Sequence, residues 1–459
     1  MPKTLAEMPA APFTGHEIAA GEFAAQQARM AQAHGPIFRW SIPEGSYRVQ
    51  DYVFMVGPDA NRFVLHTHRE HFSHDQGWTP IIGEVLGKGL LNMDDPEHAV
   101  HRRMWNPAFT SACMEAYLPV IQQVIADRTR RWSAHASVNV YHEAREITFD
   151  AAAACLAGLE PGAEVDRLRE LFYALLYGAG PVANASMGQH SQIFFRARAE
   201  LVELLLRLIA RRRALPAAEQ PRDVLGMIVH ATDDEGRTLS DRQVLAHLNI
   251  LLVAGHETTT TLSAWALYLL AAMPHYQQRL RAELVGRPGR VDGPPAAETL
   301  RGLKAVDYFV RETGRLYSPV LNVPRGVVKD FEFGGYSVPA GTPVRLALAA
   351  GHRLPHVFAQ PEQFDPERFA PPREEDKRHQ YSLVTFGGGS RICIGINFAN
   401  IEVKALLAHV LHSYELEPVP GQRPVHAGHW TAIIPDGVRL RVRARAEQPS
   451  PHPLSNQTG

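Results

Sequence analysis

Residues 386–395 read FGGGSRICIG, and what this stretch can do decides how the rest of the chain is read. Cys393 is one of three cysteines; the other two, Cys113 and Cys155, lie far from it and from each other. A lone cysteine is ordinarily a small buried hydrophobe, which suits Cys113 and Cys155. Cys393 keeps different company. Gly387, Gly388 and Gly389 permit positive φ and let the backbone approach a flat object closely, because no Cβ intervenes. Downstream, GINFANIEVKALLAHVL carries Ile396, Ile401, Leu407 and Leu411 at helical spacing, so Cys393 is expected at or just before a helix N-terminus. Free N–H groups and the positive end of the helix dipole favour a thiolate there.

Such a thiolate is a nucleophile or a metal ligand. A nucleophile needs an adjacent base, and none stands nearby in sequence; a zinc site needs three more ligands than the loop contains. One thiolate beneath a planar macrocycle needs neither, and without a C-x-x-C-H motif any haem is held non-covalently. Phe386, Gly389, Arg391, Cys393 and Gly395 fit F-x-x-G-x-R-x-C-x-G at every fixed position. On these residues the chain resembles the cytochrome P-450 superfamily. The resemblance implies haem b (iron protoporphyrin IX) cradled by Phe386, Gly387, Arg391 and Gly395, with Cys393 as the axial iron ligand whose electron donation favours O–O cleavage.

A second stretch, LNILLVAGHETTTTLSAWALYLLAAM at 248–273, is apolar at both ends but carries His256, Glu257 and four threonines in its middle. That polar content marks a cleft-lining helix, not a membrane span. Residues 254–259, AGHETT, resemble the superfamily's oxygen-activating A-G-x-D/E-T-T groove. Leu251, Ala254, Thr258, Thr261 and Trp265 recur on one helix face. Gly255 and the threonine hydroxyls, which compete for backbone carbonyls, are expected to open the helix locally to water. Reductive cleavage of dioxygen consumes two protons, so the resemblance implies that Thr258 positions the oxygen and Glu257 feeds protons from solvent, with Ala254 against the cofactor.

Glu312 and Arg315 fit the superfamily's E-x-x-R, and Arg368 follows where a second arginine is expected; the three are expected to form a buried charge network with a structural role. His98 and Arg102 stand one helical turn apart in DDPEHAVHRRMWNPAF, and with Arg325 and Arg391 they match positions that hold the two haem propionates. The cluster HTHREHFSH at 66–74 offers four histidines without a cysteine or carboxylate at ligand spacing, and reads as a solvated helix end.

The remaining composition bounds the answer. Hydrophobic residues make up 45% of 459, ample for a large core, and a net charge of −1 leaves no electrostatic footprint for nucleic acid or an anionic membrane. Few, scattered cysteines and an N-terminus without a signal-peptide core point to a cytoplasmic protein. Aromatic and β-branched residues at 37–56 suggest a hairpin around Pro43-Glu44-Gly45. Residues 96–285 read as almost wholly helical, with breaks near 161–162, 178–181 and 216–221. A Gly/Pro-rich connector at 286–298, a helix at 299–316, short strands at 323–350 and a last strand at 438–445 complete the outline. The expected fold is α+β, mostly α-helical: one haem-thiolate monooxygenase domain at 35–445 with a small β-rich lobe, an N-terminal extension at 1–34 and a disordered tail at 446–459.

The activity implied is insertion of one atom of O2 into a hydrophobic small molecule of terpenoid, steroid, fatty acid or polyketide-like kind. Trp78, Ile82, Leu86, Leu176, Leu251, Val320, Val323 and Ile433 are the expected pocket walls. No flavin or iron–sulfur module follows residue 445, so electrons are expected from a ferredoxin or flavodoxin with its reductase, docking on the cysteine side near Arg103 and Lys404. A monomer is expected. A peroxide-driven peroxygenase is the nearest alternative, against which Glu257 and Thr258 argue; a haem-binding sensor without turnover is the more distant one.

Overall fold

Helices dominate the computed structural model, which describes residues 2–12, 16–41, 51–177, 192–285 and 294–445. Those of eight residues or more are α1 (Phe23–His34), α2 (His74–Leu86), α3 (Glu97–Trp105), α4 (Ser111–Thr129), α5 (Val140–Ala157), α6 (Ala163–Tyr177), α7 (Gln192–Arg213), α8 (Asp241–Ala272), α9 (Pro274–Val285), α10 (Lys304–Leu316) and α11 (Ile396–Ser413). Helix α8 starts further upstream than its apolar run suggests. Ser240 accepts from the Gln243 N–H while the Gln243 side chain accepts from the Ser240 N–H at 2.9 Å, a reciprocal cap that satisfies two donors left over at a helix start. Leu248, Leu252, Ala264, Leu267 and Leu270 are fully buried, because α5 lies along α8 and α7, α10 and α11 close around it. This helical body holds the largest core.

The β lobe draws strands from distant parts of the chain. Strands β1 (Ala10–Pro12), β2 (Ile37–Ser41), β3 (Tyr52–Met55), β4 (Phe72–Ser73), β6 (Val323–Val327) and β9 (Pro343–Leu346) form one sheet in the order β1-β2-β3-β9-β6-β4. β3 runs parallel to β9, with Val53 opposite Val344 and Phe54 opposite Arg345. A second sheet pairs β10 (Tyr414–Pro418), β13 (Arg439–Ala444) and β5 (Val138–Asn139) in the order β10-β13-β5. Two hairpins, β7 (Phe331–Phe333) with β8 (Tyr336–Val338) and β11 (Ala427–Gly428) with β12 (Ala432–Ile433), complete the set. Gly334 and Gly335 make the first hairpin's turn at φ 59° and 85°, a conformation that favours glycine.

The first thirty-four residues contribute to this lobe: β1 joins the large sheet, and α1 buries Phe23, Ala24 and Ala28 against Phe38, Trp40 and Phe54. Strand β5 interrupts the block expected to be helical, since Val138 pairs with Leu440. The expected turn at 43–45, the break at 178–181, most of the 286–298 connector and the tail at 446–459 lie outside the described residues. Among the described residues no helix is long and apolar enough to cross a membrane.

Candidate functional site

The cysteine loop is folded by its own backbone. Cys393 N–H donates to Phe386 O at 2.9 Å and Gly387 N–H to Val384 O at 2.8 Å, and α11 begins at Ile396 with Gly395 as its cap. Gly387 and Gly389 adopt φ of 71° and 63°. A Cβ on Gly389 would stand 2.1 Å from Leu65 O, and one on Gly388 would stand 2.9 Å from the Tyr381 ring. Gly388 and Gly389 therefore serve the loop's close approach to its protein neighbours, while a Cβ on Gly387 would meet nothing nearer than Arg391 O at 3.8 Å.

Cys393 retains exposed surface although its Sγ is enclosed by protein on nearly every side, so that surface faces the interior of the molecule. Burial pushes its thiol up, while the Gly395 N–H bonded to Sγ and the Arg102 guanidinium pull the other way. The helix start thus does not by itself produce the expected thiolate; a cation opposite Sγ would. Ala254 is likewise exposed in mid-helix, between the fully buried Leu252 and His256. An unpacked alanine in a largely buried helix and an enclosed sulfur with free surface fit a group that supplies the missing contacts.

The cations expected at the cofactor's edge do come together. A cavity of about 400 Å3 is lined by Ser73, His74, Asp94, Asp95, Arg325 and Arg391 among others. Arg325 is buried, donates to Pro324 O at 2.7 Å and has no ion pair among the described residues. Burial, then the Arg391 charge, pushes it down to about 9. Arg391 donates to Met93 O at 2.6 Å and lies 3.5 Å from Asp95. His98 pairs with Asp95 at 3.4 Å and is pushed down to about 4, mainly by burial and then by Arg391. Arg102 donates to Asn106 Oδ1 at 2.9 Å. Asp94 accepts from the His74 N–H at 2.6 Å and from Ser73, so its charge serves the start of α2. A buried guanidinium without a counterion calls for an anion, which is what a propionate supplies.

His74 corrects the sequence reading. It is the first residue of α2, turned inward among Arg325, Arg391 and His98; burial and those charges hold it well below the ordinary histidine range. Ser73 with Gln76 three residues later, whose N–H the Ser73 hydroxyl accepts at 2.9 Å, is the capping signal that marks this helix start in the sequence. Among the described residues no three ligating side chains gather as a metal site.

On α8 the expected opening is absent. The helix is continuous across the motif, and the hydroxyls of Thr258 and Thr259 return to the carbonyls of Ala254 and Gly255 at 2.8 and 3.1 Å. Glu257 lies between His256, whose Nε2 is 2.9 Å from Oε1, and Arg145 of α5, 3.7 Å from Oε2. Arg145 was not foreseen, because nothing local in the sequence links α5 to α8. Glu312, Arg315 and Arg368 meet as expected, and Glu375 joins them.

The pocket candidates divide. α2, with Trp78, Ile82 and Leu86, packs on β6, which starts at Val323, and on α8, which carries Leu251; β12, which ends at Ile433, also touches α8. Val320 bridges to Thr431 beside β12, and Trp78 faces Trp430 at 6.1 Å between ring centres. Leu176 is half-buried near the end of α6, which packs on α5 and α7 instead. Of the two docking cations, Arg103 is exposed and paired with Asp234 at 2.7 Å. Lys404 is buried against Asp307 at 2.7 Å and offers nothing to a partner, a correction forced by α11 packing on α10.

The family model described as cytochrome P-450 matches residues 7–440. A putative cytochrome P-450 136 of Mycobacterium tuberculosis is 34% identical over 415 residues, 87% of this chain and 81% of the relative. A putative cytochrome P-450 120 of Synechocystis is 30% identical over 397 residues, 85% of this chain and 86% of the relative. The solved structure of a retinoic acid-bound cyanobacterial CYP120A1 is similar with a TM-score of 0.82 at 26% identity, covering 97% of this chain and 100% of that one. Over nearly its whole length, then, this chain belongs to the cytochrome P-450 family, and it is a haem-thiolate monooxygenase.

Proposed function

We propose that this enzyme inserts one oxygen atom into an apolar small molecule, of terpenoid, steroid, fatty acid or polyketide-like kind, with haem b held by Cys393. The observation that carries the assignment is the Cys393 Sγ, enclosed yet with free surface, which accepts from the Gly395 N–H and lies near the Arg102 guanidinium. Bound haem supplies the activation of dioxygen that lets one atom enter substrate while the other leaves as water. Arg325, Arg391, His98 and Arg102 would hold the propionates, with His74 beside them. The Arg325 charge, unpaired among the described residues, becomes an asset once an anion lies beside it.

Proton supply falls to α8. Thr258 Oγ1 gives its hydrogen to Ala254 O, which leaves its lone pairs to accept a further hydrogen bond in the groove. Glu257, held by Arg145 and His256 and only 11% exposed, is the acid that brings protons to that hydroxyl from solvent. Trp78, Ile82, Leu86, Leu251, Val320, Val323 and Ile433 wall an apolar substrate, an assignment in line with the retinoic acid in the similar cyanobacterial structure. Electrons come from a ferredoxin or flavodoxin with its reductase, and Arg103 is the docking cation that remains. Three free cysteines suit a reducing cytoplasm, and a monomer is part of the same proposal.

The reduced protein under carbon monoxide is expected to show the strongly red-shifted Soret band of thiolate ligation. Cys393→Ser should abolish it. A red-shifted band that survives in that variant would remove Cys393 from the site.

A further inference from the structure

His256 is fully buried in α8, edge-on to Phe149 of α5 at 5.0 Å. Both ring nitrogens face oxygen. Nδ1 lies 2.6 Å from Leu252 O, a carbonyl that only accepts, so Nδ1 carries a hydrogen. Nε2 lies 2.9 Å from Glu257 Oε1. A hydrogen bond there needs a second proton: either Nε2 carries it and the ionised carboxylate accepts, or the carboxyl carries it and donates to a bare Nε2. In both arrangements the pair holds one proton more than a neutral imidazole beside a carboxylate.

The groups packed around this pair hold it in place. Arg145 of α5 stands 3.7 Å from Glu257 Oε2 and donates to Tyr141 OH at 2.9 Å. The Tyr173 ring of α6 lies 5.0 Å from the Arg145 guanidinium, and Glu146 and Arg169 face Tyr173 from beyond. Beneath, Thr148 Oγ1 lies 3.3 Å from His256 O and 2.7 Å from Thr260 Oγ1.

We infer that His256 is a proton reserve for Glu257: it shares a proton with that carboxyl between turnovers and releases it through Oε1, so one of the two protons the reaction consumes is already in the groove. This rests on the reading of Glu257 as the delivering acid. The step moves a proton and no electrons. The Nε2–H bond breaks as an Oε1–H bond forms; the Oε1–H bond then breaks as the proton passes toward the Thr258 hydroxyl. Nδ1–H stays on Leu252 O, the ring ends neutral, and one proton returns from solvent through Glu257, because His256 is sealed. His256 touches neither substrate nor cofactor and is a positioning residue.

Two measurements test this on the haem-loaded protein. In the reduced, carbon monoxide-bound form labelled with 15N-histidine, a ring protonated on both nitrogens and lost in His256→Gln supports the shared proton. A ring protonated on Nδ1 alone overturns it even with an infrared carboxylic acid band lost in Glu257→Gln, because the proton then rests on Glu257 and the ring holds none to release. A ring with one proton and no such band overturns it. In turnover, His256→Gln keeps a donor toward Glu257 but holds no transferable proton, and His256→Asn, which keeps the bond to Leu252 O, replaces it if the first variant does not fold.

The expected change is an about tenfold rise in peroxide released per NADH, below the hundredfold or more a positioned acid contributes, because Glu257 remains. A larger solvent deuterium isotope effect and a rate that falls with rising pH should accompany it. A wild-type pH profile and isotope effect overturn the reserve, wherever the proton is found. Glu257→Gln separates the two readings: if it too leaves coupling intact, Glu257 is not the acid; if it impairs coupling while His256→Gln does not, only the reserve fails.

Discussion

Arg368 sets its Nε 3.0 and 3.1 Å from the two carboxylate oxygens of Glu312, a residue 56 positions earlier on α10. Arg315, one turn along that helix, holds the same carboxylate from Nε and Nη2 at 2.7 and 2.9 Å. All three are sealed from water, and Glu375 supplies a second negative charge to Arg368 Nη1 at 2.8 Å. Two buried cations thus meet two buried anions, and Arg315 donates further from Nη1 to His352 O at 2.8 Å and from Nη2 to Gln363 O at 3.3 Å.

Removing one member leaves an uncompensated charge in the interior. Glu312→Gln is expected to cost on the order of 3–5 kcal/mol of stability, the range for breaking a buried pair on one side. Denaturant unfolding should show the loss, and haem content should fall with it, while the fraction that folds stays coupled. An unchanged unfolding midpoint would count against the network as a scaffold.

Stability should fall on both sides of an intermediate pH. Neither oxygen of Glu402 has a hydrogen-bond partner among the described residues, and burial raises its carboxyl well above the ordinary 4.5. Its contribution is therefore whole below 4.5 and is lost as pH climbs through the folded value. His352 and His426 act in the opposite sense: burial pushes both down from 6.5 to about 3, so their contribution is whole above 6.5 and is lost as pH falls toward 3. Glu402→Met should flatten the alkaline limb of a thermal-melt profile and His426→Gln the acid limb, each by about 1.4 kcal/mol per pH unit where the group titrates. Unaltered limbs would show that these groups do not titrate with folding.

Haem retention should depend on Arg325. Arg325→Leu removes a cation already stripped of water, and loss of a charge-assisted bond of about 1.5–3 kcal/mol corresponds to roughly tenfold to hundredfold faster transfer of haem to a scavenging protein. His74→Ala is expected to have a smaller effect in the same direction, and neither should move the Soret band of the haem that remains. Equal transfer rates in wild type and both variants would mean that this cluster binds something else.

Thr258→Ala should uncouple the enzyme: NADH consumption continues while peroxide accumulates in place of oxidised product. Since the Thr258 hydroxyl is half-buried and bonds within its own helix, the substitution leaves the fold intact. Product formed in full proportion to NADH would take Thr258 out of proton delivery.

What was legible in the sequence was local. Phe386 to Gly395, the Ala254 to Thr259 motif and Glu312 with Arg315 each fit within a turn or two of backbone, so the family resemblance they carry is read without any distant partner. What was hidden depends on partners from elsewhere. His74 lay in a run of histidines that looks solvated, and only its burial beside Arg325 and Arg391 gives it a role. Arg145 and Glu375 reach their carboxylate and guanidinium partners across the fold. Lys404 looks like an ordinary surface lysine until Asp307 draws it inward. The groove threonines were legible as a motif, but not that their hydroxyls would return to backbone carbonyls in an unbroken helix.

The parallel pairing of β3 with β9 sets a timetable for synthesis. Phe38, Trp40 and Phe54 leave the ribosome early, yet much of what covers them, Ala347, Ala349, Phe358 and Phe369, is translated near the end. For most of translation these aromatic strands have only the first helix to cover them and lack their later neighbours, the kind of transiently exposed apolar strand surface that invites association with other chains.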